Sequence, residues 1–187
     1  MQVSNLEKWL PNFIRNLLKA ADSAAFLCPT LLYNSYVKYQ IKNLEEFKSL
    51  IQSQAISADN SSSLPLVFLL SGDLGAGKTE AARQISQVFH VKHLVRSPTF
   101  IYTYEHEAVR KGVDCRLSHW DLWRLDKQNF ELSGFKDSLR NSQIIIVEWW
   151  ERFVDEVNLL LDPQFFFVVK ITIHPGQDEQ SRVVVIE

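Results

Sequence analysis

Lys78 and Thr79 close the octet Gly72-Asp73-Leu74-Gly75-Ala76-Gly77-Lys78-Thr79. Glycine, four residues, then Gly-Lys-Thr is the pattern of a loop that wraps phosphate. The glycines let the chain turn tightly enough for its amides to converge on anionic oxygens. An ammonium at Lys78 is placed to reach the outer phosphates, and the Thr79 hydroxyl is a hard oxygen ligand suited to Mg²⁺. Glu80 follows directly and falls in the same candidate nucleotide-contacting set as Gly72 to Thr79. The flanks agree with the loop. Leu66-Val67-Phe68-Leu69-Leu70 is an apolar run of strand length, and Ala81 to Phe89 has helical spacing. Strand, loop and helix put bound phosphate at a helix N-terminus, where free amides and the helix dipole favour anions.

A magnesium nucleotide also needs an acid near the metal and a group that orients the attacking water. Two expected strands end in acids. Asp121 follows Leu117-Ser118-His119-Trp120, and Glu148 follows Ile144-Ile145-Ile146-Val147. Ligands of open α/β sheets bind beyond the carboxyl ends of the strands, so both acids are expected to face the phosphates. Asp121 is read as a magnesium ligand beside Thr79, and Glu148 as the base or water-positioning group. Ser97-Pro98-Thr99 lies where many nucleotide hydrolases keep a segment ordered by the terminal phosphate, which makes Thr99 a candidate catalytic residue. A plain turn built on its hydroxyls is the alternative for that segment.

The elements that must position these groups are legible in outline. Residues 1 to about 34 carry Leu6, Trp9, Leu10, Phe13, Leu17 and Leu18 at helical spacing. This predicts a helical N-terminal extension over 1–35 ahead of a domain at 36–187. Tyr36 to Ile41 alternates as an edge strand, and Asn43 is placed to cap a helix running to about Gln54. Asp59 to Ser63 reads as a polar loop. Ile101 to Glu105 and Cys115 to Asp121 read as strands, with the charged stretch Glu107 to Asp114 as a turn. Asp126 to Arg140 reads as helix interrupted at Ser133-Gly134, and Arg152 to Leu161 as helix. Phe165 to Ile173 and Arg182 to Ile186 form a terminal hairpin through Pro175-Gly176. Strands alternating with helices predict a layered α/β domain with antiparallel strands added at the end.

Composition narrows the function class. At 187 residues with a net charge of −2, the chain has no global basic field for nucleic acid or membrane. No apolar stretch is long enough to span a bilayer. Glu7, Lys8, Arg15 and Lys19 interrupt the N-terminal apolar residues, against a signal peptide. Cys28 and Cys115 are isolated, which fits reduced thiols and a cytoplasmic location.

Four motifs together carry a resemblance: the octet at 72–79, Ser97-Pro98-Thr99-Phe100, His119-Trp120-Asp121-Leu122-Trp123-Arg124-Leu125, and Glu148-Trp149-Trp150-Glu151-Arg152. From about Tyr36 to the C-terminus the chain resembles the TsaE (YjeE) family, the ATPases of bacterial tRNA threonylcarbamoyladenosine synthesis. The resemblance implies an α/β, three-layer P-loop NTPase-like fold with a mixed, partly parallel sheet and a C-terminal antiparallel hairpin. It implies a weak Mg²⁺-dependent ATPase that binds ATP or ADP. It also implies work with TsaB and TsaD partners that install threonylcarbamoyl on N6 of a tRNA adenosine (position 37), tRNA being met through the complex. By position, Lys78 binds phosphate, Thr79 and Asp121 serve Mg²⁺, Thr99 lies in the switch-like loop, Glu148 supports hydrolysis and Trp149 lies beside the nucleotide.

The chain departs from the family where a hydroxyl residue usually follows Thr79: here it is Glu80, whose charge should repel phosphate unless it turns away or pairs with Arg83. Trp123 replaces a usual tyrosine and Trp150 a usual small residue or proline. His119 is either part of the site or a strand histidine satisfied by a neighbour. Arg96, Arg124 and Arg152 are surface ion-pair formers or charge stabilisers. His90, Lys92, His93 and Arg96 form a basic stretch that reads as a solvated connection or partner surface. Two other classes share the phosphate loop. A small-molecule kinase needs an acceptor pocket and usually an arginine-rich lid, and no such lid is evident. A nucleotide-dependent binding module with little turnover is favoured if Glu80 cripples the site.

Overall fold

The strand that leads into the phosphate loop is the centre of the molecule. β2, Leu66–Gly72, is buried along nearly its whole length, as a parallel strand covered on both faces must be. In the computed structural model, which describes residues 36–92 and 101–187, β2 lies in the middle of a seven-stranded sheet. The other strands are β1 (Val37–Ile41), β3 (Thr103–Arg110), β4 (Val113–Asp121), β5 (Ile144–Glu148), β6 (Phe167–Pro175) and β7 (Arg182–Ile186), and the order across the sheet is β1-β7-β6-β2-β5-β4-β3. The four strands β6, β2, β5 and β4 are parallel. Antiparallel strands complete both sides, β7 and β1 at one and β3 at the other. The expected extension 1–35 and the Ser97-Pro98-Thr99 segment lie outside the described residues.

Helices cover both faces, giving three layers. α1 (Leu44–Ser61) and α2 (Lys78–Val88) pack on one face, where Phe47, Ile51, Ala55 and Ala58 meet Phe68, Leu70, Ile144 and Ile146. α3 (Lys127–Leu132), α4 (Phe135–Asn141) and α5 (Val154–Leu160) belong to the other, where Phe130, Phe135 and Val157 meet Val67, Leu69, Ile145 and Val147. Odd and even residues of β2 and β5 thus feed different cores, the period-two rule of a strand buried on both sides.

Three expectations need correction. α1 is capped by the Asn43 side chain as expected, but it runs past Gln54 to Ser61. Ile51, Ala55 and Ala58 continue one apolar stripe beneath an otherwise polar sequence. Glu107 to Arg110 belongs to β3 rather than to a turn. The turn contracts to Lys111-Gly112, both at positive φ (51° and 76°), the two-residue geometry that matches strand twist in tight hairpins. At the C-terminal hairpin the connection is longer than the expected Pro175-Gly176 turn, residues 176–181 joining β6 to β7, and β1 lies outside it as the expected edge strand.

A buried arginine ties the β3–β4 hairpin to the rest. Arg110 Nε donates to Asp59 Oδ1 at 2.7 Å, and its other nitrogens donate to the carbonyls of Leu64 and Ser62. The charge is thereby paired and its donors largely satisfied, the condition for keeping an ion inside a fold.

Candidate functional site

The parallel strands end together, and the candidate residues gather at those ends. Leu70 of β2 lies opposite Glu148 of β5, and Glu148 lies opposite Asp121 of β4. The loop leaves β2 at Gly72 and enters α2 at Gly77, with positive φ at Gly72, Gly75 and Gly77 (135°, 78° and 118°). Gly72 is demanded twice over. Besides its φ, a Cβ there would sit 2.2 Å from the Ile173 carbonyl oxygen of β6, so no other residue fits without moving a neighbouring strand. Gly77 caps α2 with its backbone alone, leaving the first-turn amides of the helix for a ligand.

Lys78 is almost wholly covered. Its Nζ donates to the carbonyls of Gly72 (2.5 Å) and Asp73 (2.8 Å) and lies 3.5 Å from the centre of the Trp149 ring. Burial pulls the ammonium below the usual lysine range, opposed by the charges of Glu148, Glu151, Asp121 and Asp73. Trp149 itself is held at φ 61°, a left-handed conformation costly for a bulky residue. Its amide bonds Leu70 O, and its ring packs 4.3 Å from that of Trp123.

The two acids are in different surroundings. Glu148 is 2 % exposed. Its Oε2 accepts from the Thr79 hydroxyl at 3.1 Å, and its Oε1 lies 2.9 Å from His119 Nε2. Asp121, also buried, accepts the Trp123 amide on Oδ1 at 2.9 Å. Thr79 and Glu148 touch directly and Asp121 pairs in register with Glu148 on the neighbouring strand, hard oxygen donors of the type that Mg²⁺ takes.

Glu80 turns away from the loop. Its Oε2 takes Arg83 Nη1 at 2.9 Å and its Oε1 takes Gln84 Nε2 at 2.7 Å. Gln84 in turn accepts from Gln52 of α1 at 2.7 Å. The acid is thus neutralised by a partner one helical turn on and tied to the neighbouring helix.

Long-range contacts shape the loop from behind. Arg182 Nε at the start of β7 donates to Ala76 O at 3.0 Å, and the Phe47 ring of α1 lies against Gly77. Beside them a cavity of about 250 Å³ is lined by Leu44, Phe47, Gly77, Glu80, Gln180 and Arg182. A larger open groove of about 580 Å³ lies at the other end of β4, lined by Glu105, Asp114, Cys115 and Arg116 among others. It is remote from the loop, and its Glu105–Arg116 ion pair at 3.3 Å is internally balanced.

Of the residues the sequence points to, Lys78, Thr79, Asp121, Glu148 and Trp149 lie together at the loop, whereas Glu80, expected to contact the nucleotide, turns instead to Arg83 and Gln84. Thr99 lies outside the described residues, as do His93 and Arg96. Arg152 stands 5.1 Å from the Trp123 ring. The functional neighbours that local reasoning missed are Arg182 and Phe47, because nothing near them in sequence marks their approach to the loop. Among the described residues no helix is long and apolar enough to cross a membrane.

Comparison with known proteins agrees with this fold. Residues 40–183 match the family model "Threonylcarbamoyl adenosine biosynthesis protein TsaE". The chain is 30% identical over 105 residues to the Haemophilus influenzae protein named "tRNA threonylcarbamoyladenosine biosynthesis protein TsaE", covering 54% of this chain and 64% of that one. It is 34% identical over 131 residues to the protein of that name from Rickettsia conorii, covering 63% and 70%. The match to the Haemophilus and Mycobacterium bovis relatives thus spans about 64% and 58% of their length. The fold matches the crystal structure of Bacillus subtilis YdiB with a TM-score of 0.56 over 83% of this chain and 87% of that one, at 22% identity. With a family model covering most of the described domain, the chain belongs to the TsaE family.

Proposed function

We propose that this protein binds Mg-ATP and Mg-ADP at the loop Gly72 to Thr79 and hydrolyses ATP slowly in support of tRNA threonylcarbamoyladenosine synthesis. TsaB- and TsaD-like proteins are the partners whose turnover it serves. The observation that carries the reading is the convergence of Lys78, Thr79, Asp121 and Glu148 at the ends of three neighbouring parallel strands and the start of one helix. The amides that open α2 and the Lys78 ammonium bind the phosphates. Thr79 and Asp121 hold the metal. Mg²⁺, when bound, neutralises charge on the phosphate oxygens. Glu148 orients the attacking water and takes its proton. The cavity beside Gly77 and Phe47 receives the nucleoside, its apolar wall facing the base.

The test is ATP hydrolysis by the purified chain, alone and with its cognate TsaB–TsaD pair, with product analysis. Phosphate released without a phosphorylated acceptor, and released faster with the pair, supports the reading. A phosphorylated small molecule in stoichiometric yield makes the chain a kinase instead.

A further inference from the structure

His119 is the one fully buried histidine at the site. It is 0% exposed and stands near the C-terminal end of β4, two residues before Asp121. Leu117, His119 and Asp121 share one face of β4, and Ile144, Ile146 and Glu148 share the same face of β5. The residues before them on that face, Leu117 on β4 and Ile144 and Ile146 on β5, are apolar core. A leucine or valine at position 119 would continue that core. A histidine there buries polar atoms, and among the described residues its Nδ1 has no hydrogen-bond partner. That cost is spent on one contact, His119 Nε2 to Glu148 Oε1 at 2.9 Å. The carboxylate's other oxygen is the one that meets Thr79.

We propose that His119 is a positioning residue: its Nε2–H holds Glu148 Oε1 and so fixes Oε2 toward Thr79 and the attacking water. The inference rests on the hydrolytic reading of Glu148 above. The tautomer follows from the surroundings. A carboxylate oxygen only accepts, so Nε2 carries the proton. A proton on Nδ1 would bury a donor with nothing to receive it. A carboxylate held at one oxygen cannot rotate away from its working direction, and removing the holder releases it while leaving the phosphate loop intact. The contact is therefore expected to govern turnover and not nucleotide affinity.

Two experiments test this. The first needs no nucleotide: ¹⁵N-detected imidazole spectra of the nucleotide-free protein, wild type and Glu148→Gln. The proposal expects Nε2 protonated, with a proton that exchanges slowly with solvent, and its signal displaced in Glu148→Gln. A proton on Nδ1 alone, or a signal indifferent to Glu148→Gln, overturns it. The second compares His119→Gln, whose amide nitrogen falls near Nε2, with His119→Asn, whose amide falls short. Asn is expected to lower ATP turnover about ten-fold or more, with nucleotide affinity within about two-fold, while Gln restores most of the rate. Equal turnover in Asn and wild type, or folded Gln and Asn variants equally impaired, contradicts the positioning role. If wild type shows no hydrolysis with its partners, the hydrolytic reading and the positioning role fall together. If the Asn variant alone keeps full activity while Glu148→Gln loses it, only the positioning role falls.

Discussion

Replacing Glu80 with threonine separates what this acid does for the fold from what it does for nucleotide. The side chain makes two bonds, to Arg83 at 2.9 Å and to Gln84 at 2.7 Å. The Arg83 pair is one turn apart on a helix and partly exposed, 38% and 24%, so its loss costs only ~0.3–0.5 kcal/mol. Gln84 is different, at 3% exposure. Threonine cannot reach its Nε2, and a buried donor that loses its acceptor costs ~1–3 kcal/mol. The sum is about 2 kcal/mol, or a fall in Tm of about 4–8 °C for a domain of this size. Because the carboxylate already points to Arg83 and Gln84 rather than to the loop, nucleotide affinity should stay level or tighten modestly. Glu80→Gln keeps an oxygen for Gln84 and should cost less than about 1 kcal/mol. Differential scanning calorimetry and nucleotide titration on the same samples check both halves. Equal destabilisation by Gln and Thr would refute the Gln84 argument. A loss of affinity of about ten-fold in Glu80→Thr would show that the acid serves the bound nucleotide.

Lys78→Ala removes a charge-assisted contact of ~1.5–3 kcal/mol and should weaken nucleotide about ten-fold or more, an effect read by calorimetry and contradicted by an unchanged Kd. Asp121→Asn should weaken binding in the presence of Mg²⁺ far more than in EDTA, if the charge it removes serves the metal as proposed; a loss of equal size under both conditions would argue for a purely structural role. Arg110→Leu strands Asp59 and removes a donor from the Leu64 carbonyl, while Ser62 O keeps its bond from Lys111 Nζ at 3.0 Å. It should cost ~3–5 kcal/mol in urea unfolding while leaving nucleotide affinity in the residual folded protein unchanged.

The parts of the site that sequence made legible are those set by local chemistry. The octet declares itself because only that glycine spacing lets amides converge. The acids at Asp121 and Glu148 were findable because an apolar run must stop where a strand meets the ligand face. The Ser133-Gly134 break is real for a comparable reason, with Gly134 at φ 84° between α3 and α4. Legibility failed where burial was carried by small or charged residues. The last turns of α1 hide behind Ser57, Asp59 and Asn60, although Ala55 and Ala58 are core. The outer half of β3 hides behind Glu107 and Arg110, whose strand character comes from pairing with β4 rather than from propensity. Contacts across long separations left no trace at all. Arg182 reaches Ala76 from 106 residues away, and the direction of the Glu80 side chain depends on Gln84 as well as on the Arg83 partner that spacing suggested.

On the proposed reading, Glu148 at the end of β5 drives hydrolysis of a nucleotide held by the loop. The most direct measurement is ATP turnover by wild type and Glu148→Gln in the presence of the cognate partner pair, with nucleotide affinity measured on the same preparations. Affinity is expected to remain largely intact, since the loop, Lys78 and Asp121 are unchanged, and turnover to fall about a hundred-fold or more, the usual size of a lost general base. Wild-type turnover in Glu148→Gln, with the protein folded and nucleotide bound, would contradict it.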